Sequence, residues 1–401
     1  MGYRNLREFI DFLESQNELH YIDVSVNRDL EISEITDRAV KSGGPALYFR
    51  NVEGFSIPIV TNLFGTHQRM AWALGVESSE ELTQKVRDIL GIVKTPPESL
   101  FDKLKILKDM ADLAKTQPKT ISSGPCQEVV KMGLEADLNS LPHLKCWPDD
   151  GGRFITLPLV ISRDPKSGKR NVGTYRMQVY DSHTAGMHWQ SHKVGASHYR
   201  TGELQNLEKL EVAVALGADP TTMWTGALPL PPDMDEIAVS GVISNSSVQM
   251  VKCKTIDLEV PAHAEMILEG YVVPGELREE GPFGDHTGYY SLEDDYPVFH
   301  LTAITHKKDP IYPATVVGRP PSEDFFMGKA VERLMLPALQ LTLPEVVDIN
   351  MPAEGVFHNL VIVSMKKEYP GHTRKVMNAI WGLGLMMLAK GIIIVDENVN
   401  V

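Results

Sequence analysis

Two β-rich runs, ITLPLVISRD (155–164) and NVGTYRMQVYD (171–181), decide the fold class, and a PKSG turn (165–168) lies between them. Runs of this kind on either side of a Pro- and Gly-containing turn predict strands. Four similar runs follow: LEVAVALG (210–217), VQMVKCKT (248–255), EMILEGYVV (265–273) and VFHLTAITHK (298–307). Many strands with short connections are typical of a β-barrel or a sandwich.

Helices and strands alternate before this β-rich part. The stretch MGYRNLREFIDFLESQNEL (1–19) has apolar residues at helical spacing, which predicts an amphipathic helix rather than a signal peptide. PALYFRNV (45–52) and FSIPIVTNLF (55–64) predict two strands around a Glu-Gly break. SSEELTQKVRDILG (78–91) predicts a helix that begins at a Ser-x-x-Glu capping box and ends at Gly91.

The C-terminal part also alternates. FHNLVIVSM (357–365) and IIIVDENVNV (392–401) predict strands, and HTRKVMNAIWGLGLMMLAKG (372–391) predicts a helix closed by its final glycine. A strand–helix–strand order with continuously apolar strands predicts a parallel pair.

The chain is therefore expected to be a multidomain protein of the α+β and α/β classes. The segment QPKTISSGPCQ (117–127) is rich in Pro, Ser and Gly and indicates a domain boundary. We expect an N-terminal α/β domain over residues 1–118, a central β-barrel domain over 119–312 and a C-terminal α/β domain over 313–401.

The composition excludes several classes of protein. A net charge of −14 gives no attraction to phosphate backbones, so nucleic acid is not an expected partner. Three cysteines without C-x-x-C spacing argue against a disulfide framework and indicate a reducing, cytoplasmic setting. The longest apolar stretch, residues 378–389, is too short to span a bilayer.

The stretch REEGPFGDHTGYY (278–290) has two readings. Its Gly-Pro-Phe-Gly turn brings Glu280 and Asp285 near each other, and two neighbouring carboxylates do not both ionise freely. One pKa is then expected to rise toward neutrality, which would provide a general acid. The alternative is a solvated acidic loop, since several other acids lie close by in sequence.

Asn171 and Arg176 interrupt an otherwise apolar run. Arg176 could bind a carboxylate through two parallel hydrogen bonds, and Asn171 could offer its carbonyl oxygen to a cation. In a regular strand the two side chains would point to opposite faces, so either the strand is bulged or they serve different sides of one ligand. Alternatively, both lie at a strand rim in water.

The stretch GMHWQSHKVGASHYR (186–200) places His188 and His192 four residues apart, which on a helix would suit a metal. No H-E-x-x-H glutamate accompanies them, and the glycines favour a loop with incidental histidines. In such a loop Trp189 offers an apolar face to a flat ring, and Lys193 offers a positive charge to an anion.

Glu236 is the third candidate for a metal ligand. The spacing Asp233-x-x-Glu236 resembles a capping box with Asp233 as the N-cap, so Glu236 either caps a helix or serves as a hard ligand for Mg²⁺ or Mn²⁺.

These motifs occur together and in one order. Asn-x-x-Thr-Tyr-Arg, Gly-Met-His-Trp-Gln-x-His-Lys, Asp-Leu-Glu-Val-Pro-Ala and Leu-Glu-Gly-Tyr precede Glu-Gly-Pro-Phe-Gly-Asp-His-Thr-Gly-Tyr-Tyr and Gly-Arg-Pro-Pro-x-Glu. Over its whole length the chain closely resembles the UbiD family of 3-polyprenyl-4-hydroxybenzoate decarboxylase-like enzymes. The Glu-Gly-Pro-Phe-Gly-Asp run is the most specific of the matching motifs.

The resemblance implies a central split β-barrel of the flavin-reductase type. It implies prenylated FMN as the cofactor, with Mn²⁺ or Mg²⁺ and often K⁺ beside its phosphate, and a flavin prenyltransferase that supplies this cofactor. It also implies a small carboxylic acid as substrate, a homo-oligomer (dimer or hexamer), and peripheral membrane association if that substrate is polyprenylated. Family chains continue past Asp-Glu-Asn-Val-Asn-Val, so the C-terminal domain is expected to be short or truncated.

By resemblance, the candidate site residues fall into three groups. The flavin-contacting positions are Thr174, Tyr175, Arg176, His188, Trp189, Gln190, Lys193 and Val194. The ligands of the metal and the cofactor phosphate are Asn171, His192 and Glu236. The catalytic set is Arg176, Glu280 and Asp285, where some relatives have glutamate in place of Asp285.

The implied reaction is the non-oxidative, reversible decarboxylation of an aromatic or α,β-unsaturated carboxylic acid, for example of a 4-hydroxybenzoate type or a polyprenylated quinone precursor. Cleavage of C–CO₂ leaves a carbanion that needs an electron sink, and cofactors provide one better than side chains do. Arg176 would orient the carboxylate, and Asp285 would donate the proton. Three alternatives remain: an FMN-binding oxidoreductase, a metal-dependent hydrolase that uses His188, His192 and Glu236, and a non-catalytic assembly subunit. The sequence has no dinucleotide-binding fingerprint that would support the oxidoreductase.

Overall fold

The computed structural model describes residues 2–94, 108, 110–231 and 234–401. The N-terminal part packs helices around a small sheet, whose strands are ordered β1-β2-β3-β16. The elements are α1 (Leu6–Ser15), β1 (Leu19–Val26), α2 (Glu31–Lys41), β2 (Ala46–Val52), β3 (Ile59–Thr61), α3 (His67–Ala73), α4 (Ser79–Lys94) and β16 (Tyr312–Pro313).

The sequence predicted most of this part correctly. Helix α1 buries Leu6, Phe9 and Leu13 on one face, and β2 pairs antiparallel with β3. The predicted end of α4 at Gly91 is wrong, because the helix continues to Lys94. A single glycine costs only about 1 kcal/mol within a helix, so it does not by itself end one.

The central part is a nine-stranded sheet that curls into half of a barrel. Its order is β6-β9-β10-β15-β14-β11-β7-β8, and β5 pairs with β15 outside this path. The strands are β5 (Val129–Met132), β6 (Arg153–Ile155), β7 (Leu159–Arg163), β8 (Arg170–Gly173), β9 (Met177–Val179), β10 (Thr184–Met187), β11 (Leu210–Leu216), β14 (Met266–Glu280) and β15 (Asp294–His306).

Short elements surround this sheet. A three-stranded sheet is ordered β13-β12-β4. Two of the nearby helices pack against the curled sheet, and another packs against one of these two. These elements are β4 (Lys119–Ile121), α5 (Val194–Leu204), α6 (Pro220–Thr225), α7 (Glu236–Ser244), β12 (Gln249–Lys252) and β13 (Glu259–Pro261).

The C-terminal part consists of α8 (Glu323–Thr342), β17 (Val346–Asn350), β18 (Leu360–Met365), α9 (His372–Trp381) and β19 (Gly391–Asp396). Strands β18 and β19 are parallel, as predicted. The predicted helix over 372–391 is too long, because α9 ends at Trp381 and Gly384 adopts a positive φ of 32°. Such a backbone is compatible with glycine but not with a continuing helix.

No helix among the described residues is long and apolar enough to cross a membrane.

Candidate active site

The β14–β15 hairpin carries the two acids of the REEGPFGDHTGYY motif. Glu280 is the last residue of β14 and pairs with Asp294 of β15. Because side chains alternate along a strand, Glu279 is exposed to solvent while Glu280 points inward and is 0% exposed. Asp285 follows in the connecting loop and is largely covered.

Arg176 meets this hairpin from the segment between β8 and β9. Its Nε and Nη2 donate to the two oxygens of Glu280 at 2.8 and 3.1 Å, which is the bidentate pairing that guanidinium geometry favours. Its Nη1 donates to Asp285 Oδ2 at 3.2 Å. The guanidinium carbon lies 4.4 Å from the centre of the Phe283 ring, a cation–π contact.

The break between β8 and β9 explains how the side chains of Asn171 and Arg176 can lie in different surroundings. Strand β8 ends at Gly173 and β9 begins at Met177, so the strand is interrupted between the two residues. A Cβ on Gly173 would lie 2.4 Å from the Tyr175 ring, so the close return of the chain requires glycine there.

The predicted rise of one carboxylate pKa is wrong for this arrangement. Burial raises the pKa of Glu280, but hydrogen bonds from His188 and Arg176 and their charges outweigh burial, so the pKa is lowered. For Asp285, burial is likewise outweighed by the hydrogen bond and charge of His286 and by the charge of Arg176, and its pKa lies well below the usual range. Arg176 between the two acids removes the repulsion that the sequence argument assumed.

His286 is a close partner of Asp285 that the sequence argument did not single out. Its Nδ1 lies 2.5 Å from Asp285 Oδ1, and its backbone N–H donates to the same oxygen at 2.8 Å. Its ring contacts those of Phe357 and His358, with centroids 5.5 and 4.8 Å away. Burial lowers the pKa of His286, but the hydrogen bond and charge of Asp285 and the charge of Asp324 dominate and raise it.

A second group of hydrogen bonds holds the loop in place. Asp150 accepts from the backbone N–H of Gly284 at 2.7 Å, and also from those of Cys146 and Trp147. Gln178 accepts from Gly281 N–H at 2.7 Å. A Cβ on Gly284 would lie 2.0 Å from the Trp147 ring, so this approach also depends on glycine.

Further support comes from the far end of the loop. Ser291 Oγ lies 3.1 Å from Arg176 Nη2 and accepts from Phe283 N–H at 3.2 Å. Neither Asp150 nor Ser291 was identified from the sequence, because a single Asp or Ser in a loop carries no distinguishing spacing.

The predicted flavin-contacting positions surround the strand break. His188 extends from the end of β10, and its Nδ1 lies 3.1 Å from Glu280 Oε2. Tyr175 and Trp189 are buried and meet edge to face, with centroids 6.4 Å apart. Gln190 is exposed at the following turn.

Lys193 and Val194 mark the beginning of helix α5, as its N-cap and first residue. Burial lowers the pKa of Lys193. Gly195 lies inside this helix rather than in the loop that the sequence favoured. His188 and His192 therefore do not share a helical face, and no group of three or more His, Cys, Asp or Glu side chains suited to a metal occurs in the described part of the chain.

Among the predicted metal ligands, Asn171 and Glu236 come together. Glu236 is the first residue of α7, and its Oε2 accepts from the backbone N–H of Val172 at 3.0 Å. Asn171 Nδ2 donates to Tyr175 Oη at 3.4 Å. His192 is exposed, and burial followed by the charge of Lys193 lowers its pKa.

The helix cap differs from the predicted one. Asp233 lies outside the described residues, and Asp235 is the N-cap, accepting from Ile237 N–H at 3.0 Å. Asp235 also forms an ion pair with Arg170. Glu236 is thus not needed as the cap, and its buried carboxylate is available for another role.

The residues present fit a flavin and a hard cation. Thr174 Oγ1 and Trp189 Nε1 are buried and have no hydrogen-bond partner among the described residues, which is costly unless a ligand satisfies them. Burial raises the pKa of Glu236 to about 7, because desolvation disfavours the charged carboxylate. A bound cation would offset this cost. Asn171 and Glu236 offer oxygen atoms, which Mn²⁺ and Mg²⁺ prefer.

Three domain models of one family match the chain. They describe the N-terminal domain (residues 10–89), the Rift-related domain (119–320) and the C-terminal domain (325–401) of 3-octaprenyl-4-hydroxybenzoate carboxy-lyase, or UbiD. An uncharacterized protein of Archaeoglobus fulgidus is 50% identical over 401 residues, which are 100% of this chain and 82% of that relative.

Solved structures give the same assignment. The vanillic acid decarboxylase of Sedimentibacter hydroxybenzoicus in closed form has a TM-score of 0.88 and 27% identity, over 100% of this chain and 82% of that one. An evolved dimeric form of the UbiD-class enzyme HmfF from Pelotomaculum thermopropionicum, in complex with prFMN, has a TM-score of 0.85 and 26% identity, over 100% and 87% of the two chains.

Proposed function

The chain belongs to the UbiD family of carboxy-lyases, and from this premise we propose that it catalyses the non-oxidative, reversible decarboxylation of an aromatic carboxylic acid. The observation that carries the proposal is Arg176 held between Glu280 and Asp285 at the end of the β14–β15 hairpin. The similar vanillic acid decarboxylase supports an aromatic substrate, and α,β-unsaturated acids, 4-hydroxybenzoates and polyprenylated quinone precursors are further candidates.

The proposed cofactor is prenylated FMN, as in the complex of the similar HmfF. When bound, it supplies an electron sink for the carbanion that remains after CO₂ leaves. Thr174, Trp189 and the neighbouring predicted contacts would hold it. Asn171 and Glu236 would hold Mn²⁺ or Mg²⁺ beside it, with His192 and a K⁺ ion as further parts of the proposed site.

Arg176 is suited to orient the substrate carboxylate. The two bonds to buried Glu280 and the contact with Phe283 fix the guanidinium plane, which limits the loss of side-chain entropy on binding. Its Nη1 bond to Asp285 is the longest of its carboxylate contacts at 3.2 Å. A substrate carboxylate can replace that bond and leave the Glu280 pair intact.

The same exchange would prepare Asp285 to donate a proton. When Arg176 Nη1 binds the substrate instead, the ionised carboxylate of Asp285 loses one of its partners. The arriving substrate also adds a negative charge nearby. Both changes raise the pKa of Asp285 from its low value in the substrate-free protein. Asp285 would then give its proton to the carbon from which CO₂ departed.

We also propose that the chain has the three-part layout predicted from its sequence. Residues 119–312 would form the flavin-reductase-type split barrel that holds the cofactor, between α/β domains at 1–118 and 313–401. A flavin prenyltransferase would supply the cofactor. A homo-oligomer is supported by the dimeric form of HmfF.

The test is to co-express the chain with a flavin prenyltransferase and measure the absorbance and mass of the bound flavin. CO₂ release is then followed over aryl and acrylic acids, with protein expressed without the prenyltransferase as control. Prenylated FMN together with CO₂ release supports the proposal. Plain FMN that is reduced by NADPH, without CO₂ release, would indicate an oxidoreductase. Bound zinc without flavin would indicate a hydrolase. A protein that binds neither group would indicate an assembly subunit.

A further inference from the structure

Among the described residues, the side chain of His286 makes the shortest contact with Asp285, the proposed proton donor. Its Nδ1 lies 2.5 Å from Asp285 Oδ1, whereas Arg176 contacts the opposite oxygen, Oδ2, at 3.2 Å. The backbone N–H of His286 adds a second bond to Oδ1. The two oxygens of Asp285 therefore face different partners, one on the side of Arg176 and one on the side of the imidazole.

The groups around the imidazole come from four parts of the chain. Asp285 belongs to its own loop, Arg176 to the segment between β8 and β9, Asp324 to the beginning of α8, and Phe357 and His358 to the loop before β18. Two negative charges and one positive charge thus act on the ring, which favours the imidazolium form. His358 does not compete for the proton, because burial and the charge of His286 lower its pKa to about 4.

The loop that carries the two aromatic neighbours has an unusual backbone. Val356 and Phe357 adopt positive φ angles of 51° and 36°, which are unfavourable for side chains of these types. Such strain persists only where the surroundings enforce it, and it is often found at functional sites. Here it places Phe357 and His358 against His286.

The imidazole remains accessible to water, because the His286 side chain is 27% exposed. A group that is fixed to an acid on one side and reaches water on the other can carry protons between them. Asp285 is ionised in the substrate-free protein, so it has no proton to donate until one is supplied.

We propose that His286 is the proton-supplying residue that recharges Asp285 in each catalytic cycle, taking protons from solvent. This inference rests on the proposed decarboxylase function and deepens it. When the substrate binds, Nδ1–H of the His286 imidazolium passes its proton to Asp285 Oδ1. The substrate loses CO₂, the carbanion takes that proton from Asp285, and the neutral imidazole takes a new proton from water. The net consumption is one proton per CO₂ released, and no redox partner is needed.

The variant that tests this role is His286→Asn, since an amide can donate a hydrogen bond to Asp285 but cannot carry a proton. The matched control is His300→Asn. His300 pairs with Glu276 at 2.7 Å on the same hairpin and has the same side-chain exposure of 27%, but it has no contact with Asp285 in the described part of the chain.

We expect His286→Asn to lower kcat by about 100-fold, the lower end of the typical contribution of a proton-transfer group, while KM changes by less than about 3-fold. The alkaline decline of the wild-type pH–rate profile should disappear, and turnover should become dependent on buffer concentration. His300→Asn should behave as wild type. A wild-type kcat and pH profile in His286→Asn, or a change confined to KM, would overturn the proposal.

A measurement without substrate or cofactor separates this inference from the proposed function. In protein labelled with ¹⁵N-histidine, Asp285→Asn should lower the pKa of His286, because the imidazolium loses its charged partner, and leave the His300 resonances unchanged. An unchanged His286 pKa refutes the coupling. Absence of CO₂ release by the loaded wild-type protein refutes the decarboxylase function instead.

Discussion

Arg176 and Glu280 form a bidentate ion pair between residues that are distant in sequence, and the carboxylate has no exposed surface. A buried carboxylate is costly unless it is fully paired, and here Arg176 and His188 pair both of its oxygens. The pair fixes the guanidinium with one nitrogen directed at Asp285. The orientation of the proposed substrate-binding group thus depends mainly on this ion pair, with the Phe283 ring as a further contact.

Glu280→Gln is expected to reduce both stability and turnover. It leaves the Arg176 charge without its main partner, for which losses of about 3–5 kcal/mol are typical in buried pairs. We expect kcat/KM to fall by about 100-fold or more. Urea unfolding and CO₂ release measure the two effects.

The control for this variant is the neighbouring Glu279→Gln. Glu279 points to solvent from the same strand, so stability and turnover should stay close to wild type. Equal losses in the two variants would contradict the assignment of Glu280.

Asp285→Asn should abolish most of the turnover without loss of flavin. An amide cannot donate the proton, so we expect kcat to fall by about 100- to 10,000-fold. Bound flavin, followed by absorbance, should remain at the wild-type level. The exposed Asp294→Asn serves as the control. If Asp285→Asn kept a turnover near that of the wild type, Asp285 would not be the proton donor.

Thr174→Val tests the proposed flavin site through an unpartnered hydroxyl. Because buried Thr174 Oγ1 has no partner in the described residues, its removal should leave the stability of the flavin-free protein unchanged or raise it by up to about 1 kcal/mol. Flavin affinity should fall by roughly 3- to 10-fold, the value of one hydrogen bond.

Thr305→Val is the matched control for Thr174→Val. Thr305 Oγ1 is also buried without a partner but lies near the opposite end of β15 from the hairpin loop. It should reproduce the stability change and leave flavin affinity unchanged. Equal flavin affinities in the two variants and wild type would argue against Thr174 as a contact.

Glu236→Gln should weaken binding of Mn²⁺. Loss of a carboxylate ligand is expected to lower the affinity by at least about 10-fold, as measured by titration calorimetry on the flavin-free protein. Glu208→Gln removes an exposed carboxylate and should have no effect. If both variants bind Mn²⁺ as wild type does, Glu236 is not a ligand.

We expect the buried side chain of His143 to make the stability of the fold sensitive to acid. It is buried, with Nδ1 2.8 Å from Tyr312 Oη and Nε2 2.9 Å from the Leu138 carbonyl. Burial lowers its pKa to about 3, below the ordinary value near 6.5. The unfolded chain therefore binds the proton first as pH falls, and this residue lowers stability by up to about 1.4 kcal/mol per pH unit below about pH 6.5.

Urea unfolding between about pH 7 and about pH 5 checks this sign. His143→Gln should have a shallower decline in stability toward acid than wild type, whatever its absolute stability. The exposed His20→Gln should keep the wild-type slope. Parallel slopes for His143→Gln and wild type would show that another group causes the acid sensitivity.

Local patterns were sufficient to predict the main elements of the fold. β-rich runs beside turn residues predicted the strands, and helical spacing predicted α1, because both depend on neighbours along the chain. Helix ends were less predictable, since Gly91 lies within α4, whereas α9 ends ahead of the glycine predicted to close it. A glycine ends a helix only where the following chain leaves the helical path, which depends on packing.

The sequence by itself determined the candidate residues, because Glu280 and Asp285 lie in one motif and Asn171 and Arg176 in another. Only the tertiary structure decided which of these side chains are in contact. The sheet order β9-β10-β15-β14 brings Arg176 to Glu280, and the C-terminal part brings Phe357 and His358 to His286. The direction of the carboxylate pKa shifts followed from that placement, because charge interaction and desolvation depend on distance in space and not on separation along the chain.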